Sequence, residues 1–373
     1  MLPECQMDLW ETLQRTKKNI VLYGMGNGAD KILDGCQKKG IAVSGVFASD
    51  GFVRQKLFHG MPVTSWGQIK EQFGAENVIV LVSFGTSRED VLENIFKIST
   101  ETELYAPDVP AFGDGLFDRN FYQEHQEELE SARSLLSDEE SKRIFDNVLM
   151  FKLTGRISYL LAAESDADKI WDELVEPCSI RNALDLGAYN GDSAKELIER
   201  GKGSVKRIEA MEPDMRNYKK LLQYANGETR CEVIAHPLGA WEKKDTLQFD
   251  NSGNRNASLR ENRSQTLAHR PTDVCSVCVD SPDSSVGDLQ IDYIKYDVEG
   301  AEREALNGSK QTILRDSPTL LVSLYHRNED LFALPLQIHR QFPQYRGFYL
   351  RRLRGIPAWD LNLYVKRAAK PTG

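Results

Sequence analysis

An α/β chain built from two doubly wound units is predicted by three stretches. Residues 19–23 are a short apolar run that enters a glycine-punctuated turn, Gly24-Met25-Gly26-Asn27-Gly28-Ala29. Residues 183–186 repeat the arrangement before Gly187-Ala188-Tyr189-Asn190-Gly191-Asp192. Residues 291–296 are a third such run, ending in the acids Asp297 and Glu299. An apolar run, a glycine turn and then an apolar stripe at helical spacing make the strand–turn–helix unit of a parallel sheet. At 373 residues the chain is too long for one typical core. The expected division is 1–106, a small nucleotide-binding-like or scaffold domain; 107–175, a helical linker; and 176–373, a second α/β domain.

A net charge of -9 and a pI near 5.4 argue against nucleic acid or an anionic membrane as partner, because binding phosphates requires a basic face. No charged-then-apolar leader opens the chain and no run of about eighteen apolar residues occurs, so a cytoplasmic protein is expected. Six cysteines without a dense framework fit a reducing compartment. Cys275 and Cys278 alone have suggestive spacing. They lack a second pair, and in a strand their odd offset puts them on opposite faces.

In the first unit, Ala29, Ile32, Leu33 and Cys36 mark the inward face of the helix after the glycine turn. Residues 42–48 form a second strand that ends near Asp50, and residues 77–82 a third. Thr86-Ser87-Arg88-Glu89 is a capping-box start for the next helix. The pattern is half of a dinucleotide fold, open to NAD, to a nucleotide sugar, or to no ligand at all. The Gly60-Met61-Pro62-Val63 segment adds a likeness to small domains attached to sugar-modifying bacterial enzymes. No catalytic tyrosine–lysine pair of the sugar-dehydrogenase kind follows.

Pro107, Pro110 and Gly113-Asp114-Gly115 mark the linker. Ser137-Asp138-Glu139-Glu140 reads as a capping box before Phe145, Val148, Leu149 and Leu153, a stripe that suits core or a homo-oligomer contact. The glutamate-rich run at 123–130 reads as a solvated face.

The second unit carries the chemistry. Glycines at 187 and 191 let backbone approach a ligand, and the following helix offers its first N–H groups. Glu212-Pro213 ends the next strand, 205–211, where an acid can accept both hydroxyls of a ribose. The spacing Asp185-x-Gly187-x-x-x-Gly191 is looser than the G-x-G-x-x-G of NAD sites and points to S-adenosylmethionine. Asp297 and Glu299 should reach the same crevice, where neighbouring carboxylates raise each other's proton affinity and one could act as general base. Glu299 and Glu302 have an alternative role as helix caps. The strand 320–324 delivers Tyr325-His326, and a neutral imidazole there could take a proton from an attacking hydroxyl, or serve as a structural group. Asp297 with His326 or Asp330 could hold Mg²⁺, although no spacing demands a metal. Residues 349–354 and 361–365 read as a closing antiparallel hairpin.

The order Asp185-Leu-Gly-Ala-x-x-Gly-Asp192, Glu212-Pro213, Pro237-Leu-Gly-Ala-Trp241, Ile294-Lys-x-Asp-Val-Glu-Gly-Ala-Glu302 and Tyr325-His326, with the terminal hairpin, resembles the FkbM-type methyltransferases over roughly residues 137–367. The resemblance implies two Rossmann-like domains, the C-terminal one a class I methyltransferase fold with a seven-stranded, mostly parallel sheet ending in an antiparallel hairpin. It implies S-adenosylmethionine as cofactor and O-methylation of a sugar, glycan or natural product. Carried over, Asp185, Gly187, Ala188, Tyr189, Gly191, Asp192, Glu212, Pro213 and Asp297 would line the cofactor, and Asp297, Glu299 and His326 would face the acceptor. Asn256, Ala257 and Ser258 would border its pocket. Two rivals stay open: an NAD(P)-dependent nucleotide-sugar oxidoreductase working through residues 24–29, and a non-catalytic S-adenosylmethionine-binding assembly protein.

Overall fold

Long apolar runs in this chain become strands buried on both faces, which requires helices on both sides of each sheet. The computed structural model describes residues 3–4, 6–49, 57–250, 259–260 and 274–367. The first sheet contains β1 (Asn19–Tyr23), β2 (Gly45–Phe47), β3 (Leu57–Phe58), β4 (Met61–Thr64), β5 (Val78–Val82) and β6 (Glu103–Tyr105), in the order β3-β4-β2-β1-β5-β6. All pairs are parallel except β3 with β4. The strand order reverses between β1 and β5, so a crevice opens above their carboxyl ends.

The second sheet contains β7 (Asn182–Leu186), β8 (Arg207–Met211) and β9 (Glu232–His236). After β9, a separate four-stranded sheet forms from β10 (Gly239–Ala240), β11 (Asp245–Asp250), β12 (Leu259–Arg260) and β13 (Val274–Asp280), in the order β10-β13-β11-β12. The sequence reading had only the last of these strands. The chain then returns through β14 (Tyr293–Tyr296), β15 (Thr319–Ser323), β16 (Tyr345–Arg352) and β17 (Leu361–Arg367). The order β16-β17-β15-β14-β7-β8-β9 is parallel up to β15, and β17 and β16 run antiparallel. This is the expected seven-stranded sheet with its antiparallel hairpin. Its reversal point lies between β7 and β14.

Two caps differ from the sequence reading. Asp138, not Ser137, caps the helix Glu139–Thr154, accepting from the Ser141 N–H at 2.7 Å. Ser137 is tied to β16 instead: its Oγ accepts from the Phe348 N–H at 2.8 Å. The helix Glu89–Glu101 has Arg88 at its N-cap with no side-chain bond; Thr86 stands before the cap, its Oγ1 accepting from the Arg88 N–H at 3.2 Å while its backbone pairs with Ile356 of the second unit through two bonds of 2.8 and 2.9 Å. The stripe Phe145, Val148, Leu149 and Leu153 is buried in one cluster with Phe348 and Leu350, so it is core within this chain. Residues 256–258 lie outside the described residues, as do Asp50 and the side chain of Cys275. The Cys278 side chain is exposed.

Candidate active site

The turn after β7 is held by steric necessity. Gly187 has φ +79, and a Cβ there would lie 1.9 Å from the Asp297 carbonyl oxygen. Gly191 has φ +90, and its Cβ would strike the Tyr224 ring at 2.5 Å. Only glycine fits either place. Between them Ala188 is fully buried, and the N–H groups of Gly187 and Ala188 both donate to Met211 O at 3.0 Å. Ala188 therefore supports the turn from the core side. Tyr189, at φ +48, donates its N–H to Glu212 Oε2 at 2.9 Å.

Glu212 is the hinge of this half of the site. Its other oxygen accepts from the Asp214 N–H at 2.8 Å, while Asp214 caps the helix Met215–Gly227. Burial pushes the Glu212 carboxyl up to about 7, against the pull of these two N–H groups. Each oxygen retains a lone pair for a further donor. Pro213 is half-buried and Asp192 exposed; Asp192 opens the helix Asp192–Gly201 and accepts from the Ser193 N–H.

Asp185 accepts from Ser193 Oγ at 2.6 Å and stands 3.3 Å from Lys295 Nζ. Lys295 lies opposite Asp185 in the β7–β14 register and also donates to Gly187 O at 3.1 Å. It is 3.5 Å from Asp297 Oδ2. The sequence reading passed over this lysine. Its signal was its place two residues before Asp297, a spacing that puts both side chains on one side of the extended chain leaving β14.

The second half of the site gathers around His326, which is wholly buried. Its Nδ1 bonds Glu302 Oε1 at 2.8 Å, and that oxygen also accepts from the Val298 N–H. Among the described residues its Nε2 has no hydrogen-bond partner, lying 3.5 Å from both Asp297 Oδ1 and Glu299 Oε2. Burial works to lower the imidazole's proton affinity, but Glu302, Glu299 and Asp297 outweigh it and lift the ring to about 10. That shift favours the imidazolium at neutral pH, whereas one of the two roles open from sequence, a proton acceptor, needs the neutral ring.

The carboxylates do not all shift alike. Burial, helped by Asp297, Glu302 and Glu212 and opposed by His326, raises Glu299 to about 8. Burial also works to raise Asp297, but Lys295, His326 and hydrogen bonds from Tyr325 and Ser323 hold it below the ordinary carboxylate range. The Tyr325 hydroxyl donates to Asp297 at 2.9 Å and the Ser323 hydroxyl at 3.0 Å. Of the two residues read as helix caps, Glu302 accepts from a backbone N–H, that of Val298, and also holds His326. Asp330 accepts from the Arg327 N–H and is raised to about 8, by burial first and then by Glu302.

A segment from the linker roofs this cluster. Phe112 donates its N–H to His326 O at 2.8 Å, and its ring lies 4.2 Å from the Arg327 guanidinium carbon. A Cβ on Gly300 would meet that ring at 2.8 Å. Lys31 of the first unit holds the segment through Pro110 O and Ala111 O, both at 2.6 Å. Burial lowers Lys31 to about 8, and Asp114 and Glu299 resist the shift. No local pattern points to this roof, since its parts come from three distant stretches.

Residues 185–351 match the Methyltransferase FkbM domain family. The chain carries an FkbM methyltransferase domain. No curated protein matches it in sequence. Among solved structures it is similar to the methyltransferase FkbM from Methylobacillus flagellatus KT, at 21% identity and a TM-score of 0.70, over 95% of this chain and 92% of that one. This shows a shared fold that takes in the first unit as well as the FkbM domain. A SAM-dependent methyltransferase from Aquifex aeolicus is matched at 12% identity over 54% of this chain and 92% of that one, with a TM-score of 0.27. The S-adenosylhomocysteine-bound methyltransferase of Podospora anserina is matched at 10% identity over 76% and 98%, with a TM-score of 0.30.

Proposed function

We propose that the FkbM domain uses S-adenosylmethionine to methylate a hydroxyl of a sugar, glycan or natural product. The observation that carries the acceptor half of this reading is the buried, unpartnered Nε2 of His326, set between Asp297 and Glu299. An unpaired buried donor costs about 1–3 kcal/mol. An acceptor hydroxyl oxygen would satisfy it.

For the cofactor half, the residues fit the group. The glycine turn 187–191 gives close backbone approach, and Glu212 keeps lone pairs for a ribose diol; Asp185, Tyr189, Asp192 and Pro213 border the same turn. The cofactor supplies a methyl group on a sulfonium centre. The chain's own part is to align and deprotonate. The His326 imidazolium orients the acceptor oxygen and steadies charge that develops on it. Glu299, poised near neutrality, takes the hydroxyl proton. Asp297 stays ionised and holds the imidazolium in place, while Lys295 fixes Asp297. Most of the rate would then come from alignment, since in-line displacement depends on it.

The test is calorimetric titration with S-adenosylhomocysteine and, separately, with NAD, followed by transfer of labelled methyl from S-adenosylmethionine to sugar and glycan pools. We expect micromolar binding of S-adenosylhomocysteine that is lost in Glu212→Ala, and label transfer that His326→Ala slows without loss of cofactor binding. Binding of NAD alone would sink the proposal.

A further inference from the structure

We propose that the crevice at the strand reversal of the first sheet is a second ligand site, and that it takes a nucleoside diphosphate, free or linked to a sugar. The crevice has a volume of about 650 Å³ and lies above the carboxyl ends of β1, β2 and β5. That is where open α/β sheets receive ligands, and the volume suits one of nucleotide size.

The walls narrow the chemistry. Tyr23, Phe47, Trp66 and Phe84 contribute four rings: Tyr23 stacks on Phe47 at 4.6 Å, Trp66 tilts against Phe47 at 5.3 Å, and Phe84 meets Tyr23 edge-on at 5.0 Å. Trp66 and Phe84 are only half-buried, so they have faces to offer a planar base. Beside them Asn94 donates to the Tyr23 hydroxyl at 2.8 Å, and that hydroxyl is 2.6 Å from Ser49 Oγ. Two hydroxyls sharing one bond leave one proton over, and the Asn94 carbonyl oxygen is left as an acceptor among the described residues. A donor beside an acceptor is what reads the edge of a base.

The charged residues favour an anion. In a chain of net charge -9, this crevice has three cations, Lys70, Arg88 and Lys97, against two carboxylates, Asp90 and Glu101. Lys70 is paired with Glu101 and Arg88 with Asp90, so Lys97 is the cation in excess. A second cavity of about 280 Å³ shares Met25, Phe84 and Gly85 with the first and is walled by Asn27, Gly28 and Lys31. It lies at the start of the twelve-residue helix Asn27–Lys38, whose N-cap Gly26 makes no side-chain bond. Gly28 is fixed there, because a Cβ would meet Ser83 O at 2.5 Å. A base among the rings and a diphosphate reaching round Phe84 would use both spaces.

The experiment is calorimetric titration of the full chain with UDP, GDP, ADP and UDP-glucose, each with and without saturating S-adenosylhomocysteine. We expect at least one diphosphate to bind with Kd below ~1 mM, unaffected by S-adenosylhomocysteine. Asn94→Ala should weaken it at least ~10-fold and the exposed Lys97→Ala at least ~3-fold, each with S-adenosylhomocysteine binding unchanged. Tighter binding of UDP-glucose than of UDP would support the site and identify the sugar-linked form; equal binding would support it and identify the free nucleotide. Three results would overturn it: no binding by any of the four, displacement of S-adenosylhomocysteine by the nucleotide, or binding unaltered in both variants. Because S-adenosylhomocysteine is titrated in the same samples, failure here is separable from failure of the methyltransferase reading.

Discussion

Glu299 carries two costs at once. It sits at φ +54, a left-handed conformation unfavourable for a residue with a Cβ, and its carboxyl is raised to about 8. Strain retained at one residue of a carboxylate–imidazole cluster fits a residue kept for its reaction. Replacing it with glycine should release the strain and raise stability by about 1 kcal/mol in urea unfolding, while methyl transfer collapses. A base with a raised pKa acts only when ionised, so transfer by the wild-type protein should climb as pH rises through about 8. In Glu299→Gln that limb should vanish while S-adenosylhomocysteine affinity holds, and a surviving limb would assign it to another group. Glu212 makes the complementary case. Its carboxylate form exists above about 7, so S-adenosylhomocysteine affinity should fall as pH drops below 7, by at most about tenfold per unit. Glu212→Ala should bind weakly and independently of pH across that range; a pH slope unchanged in the variant would remove Glu212 from the ribose.

Among the elements, the junction of the helix Glu139–Thr154 with β16 does more than its sequence shows. Asp138 caps the helix and also meets Arg351 Nη2 at 2.7 Å, while Ser141 Oγ accepts from the Leu350 N–H at 2.9 Å. Asp138→Ala removes a cap worth about 1 kcal/mol and takes the nearer carboxylate from the buried Arg351, which keeps its bonds to Ser141 Oγ and Leu350 O. A loss of about 2–4 kcal/mol is expected from the shift in urea midpoint. A shift below about 0.5 kcal/mol would show that Glu140, 3.4 Å from Arg351, takes over.

Across the whole molecule, the two sheets are joined where the first has its reversal point. Gly85 lies against Trp359, so closely that a Cβ would come within 1.9 Å of the ring, and the Thr86–Ile356 bridge runs alongside. A buried ion pair, Lys152 with Asp108 at 2.6 Å, fixes the connecting segment nearby. Gly85→Ala must displace Trp359 and should cost about 1–3 kcal/mol. Proteolysis at residues 107–115 should accelerate, since that segment is held from both sides. An unchanged cleavage rate with an unchanged unfolding midpoint would show that the contact does not hold the units together.

The site was legible in part, and the division follows the range of the interactions. Glycines at 187 and 191, the acids at strand ends and the terminal hairpin could be read because each is a local pattern: a tight turn that other atoms approach closely favours glycine, and alternation or continuity of apolar residues favours a strand. The family-like run from Lys295 to Glu302 likewise lies on one strand and the turn after it. Protonation could not be read, because His326 becomes a cation only when Glu302, Glu299 and Asp297 are folded around it. The direction of Asp297's shift depends on Lys295 and His326 together. The roof formed by Phe112 and Lys31, the transfer of Ser137 from a helix cap to β16 and the four-stranded sheet after β9 all arise between stretches remote in the chain. The sequence by itself determined the central apolar strands of the two larger sheets and where the glycine turns after them fall, through backbone sterics and apolar periodicity. Only the tertiary structure decided which charges meet, because burial and neighbouring charge set proton affinity and neither is a property of a residue alone.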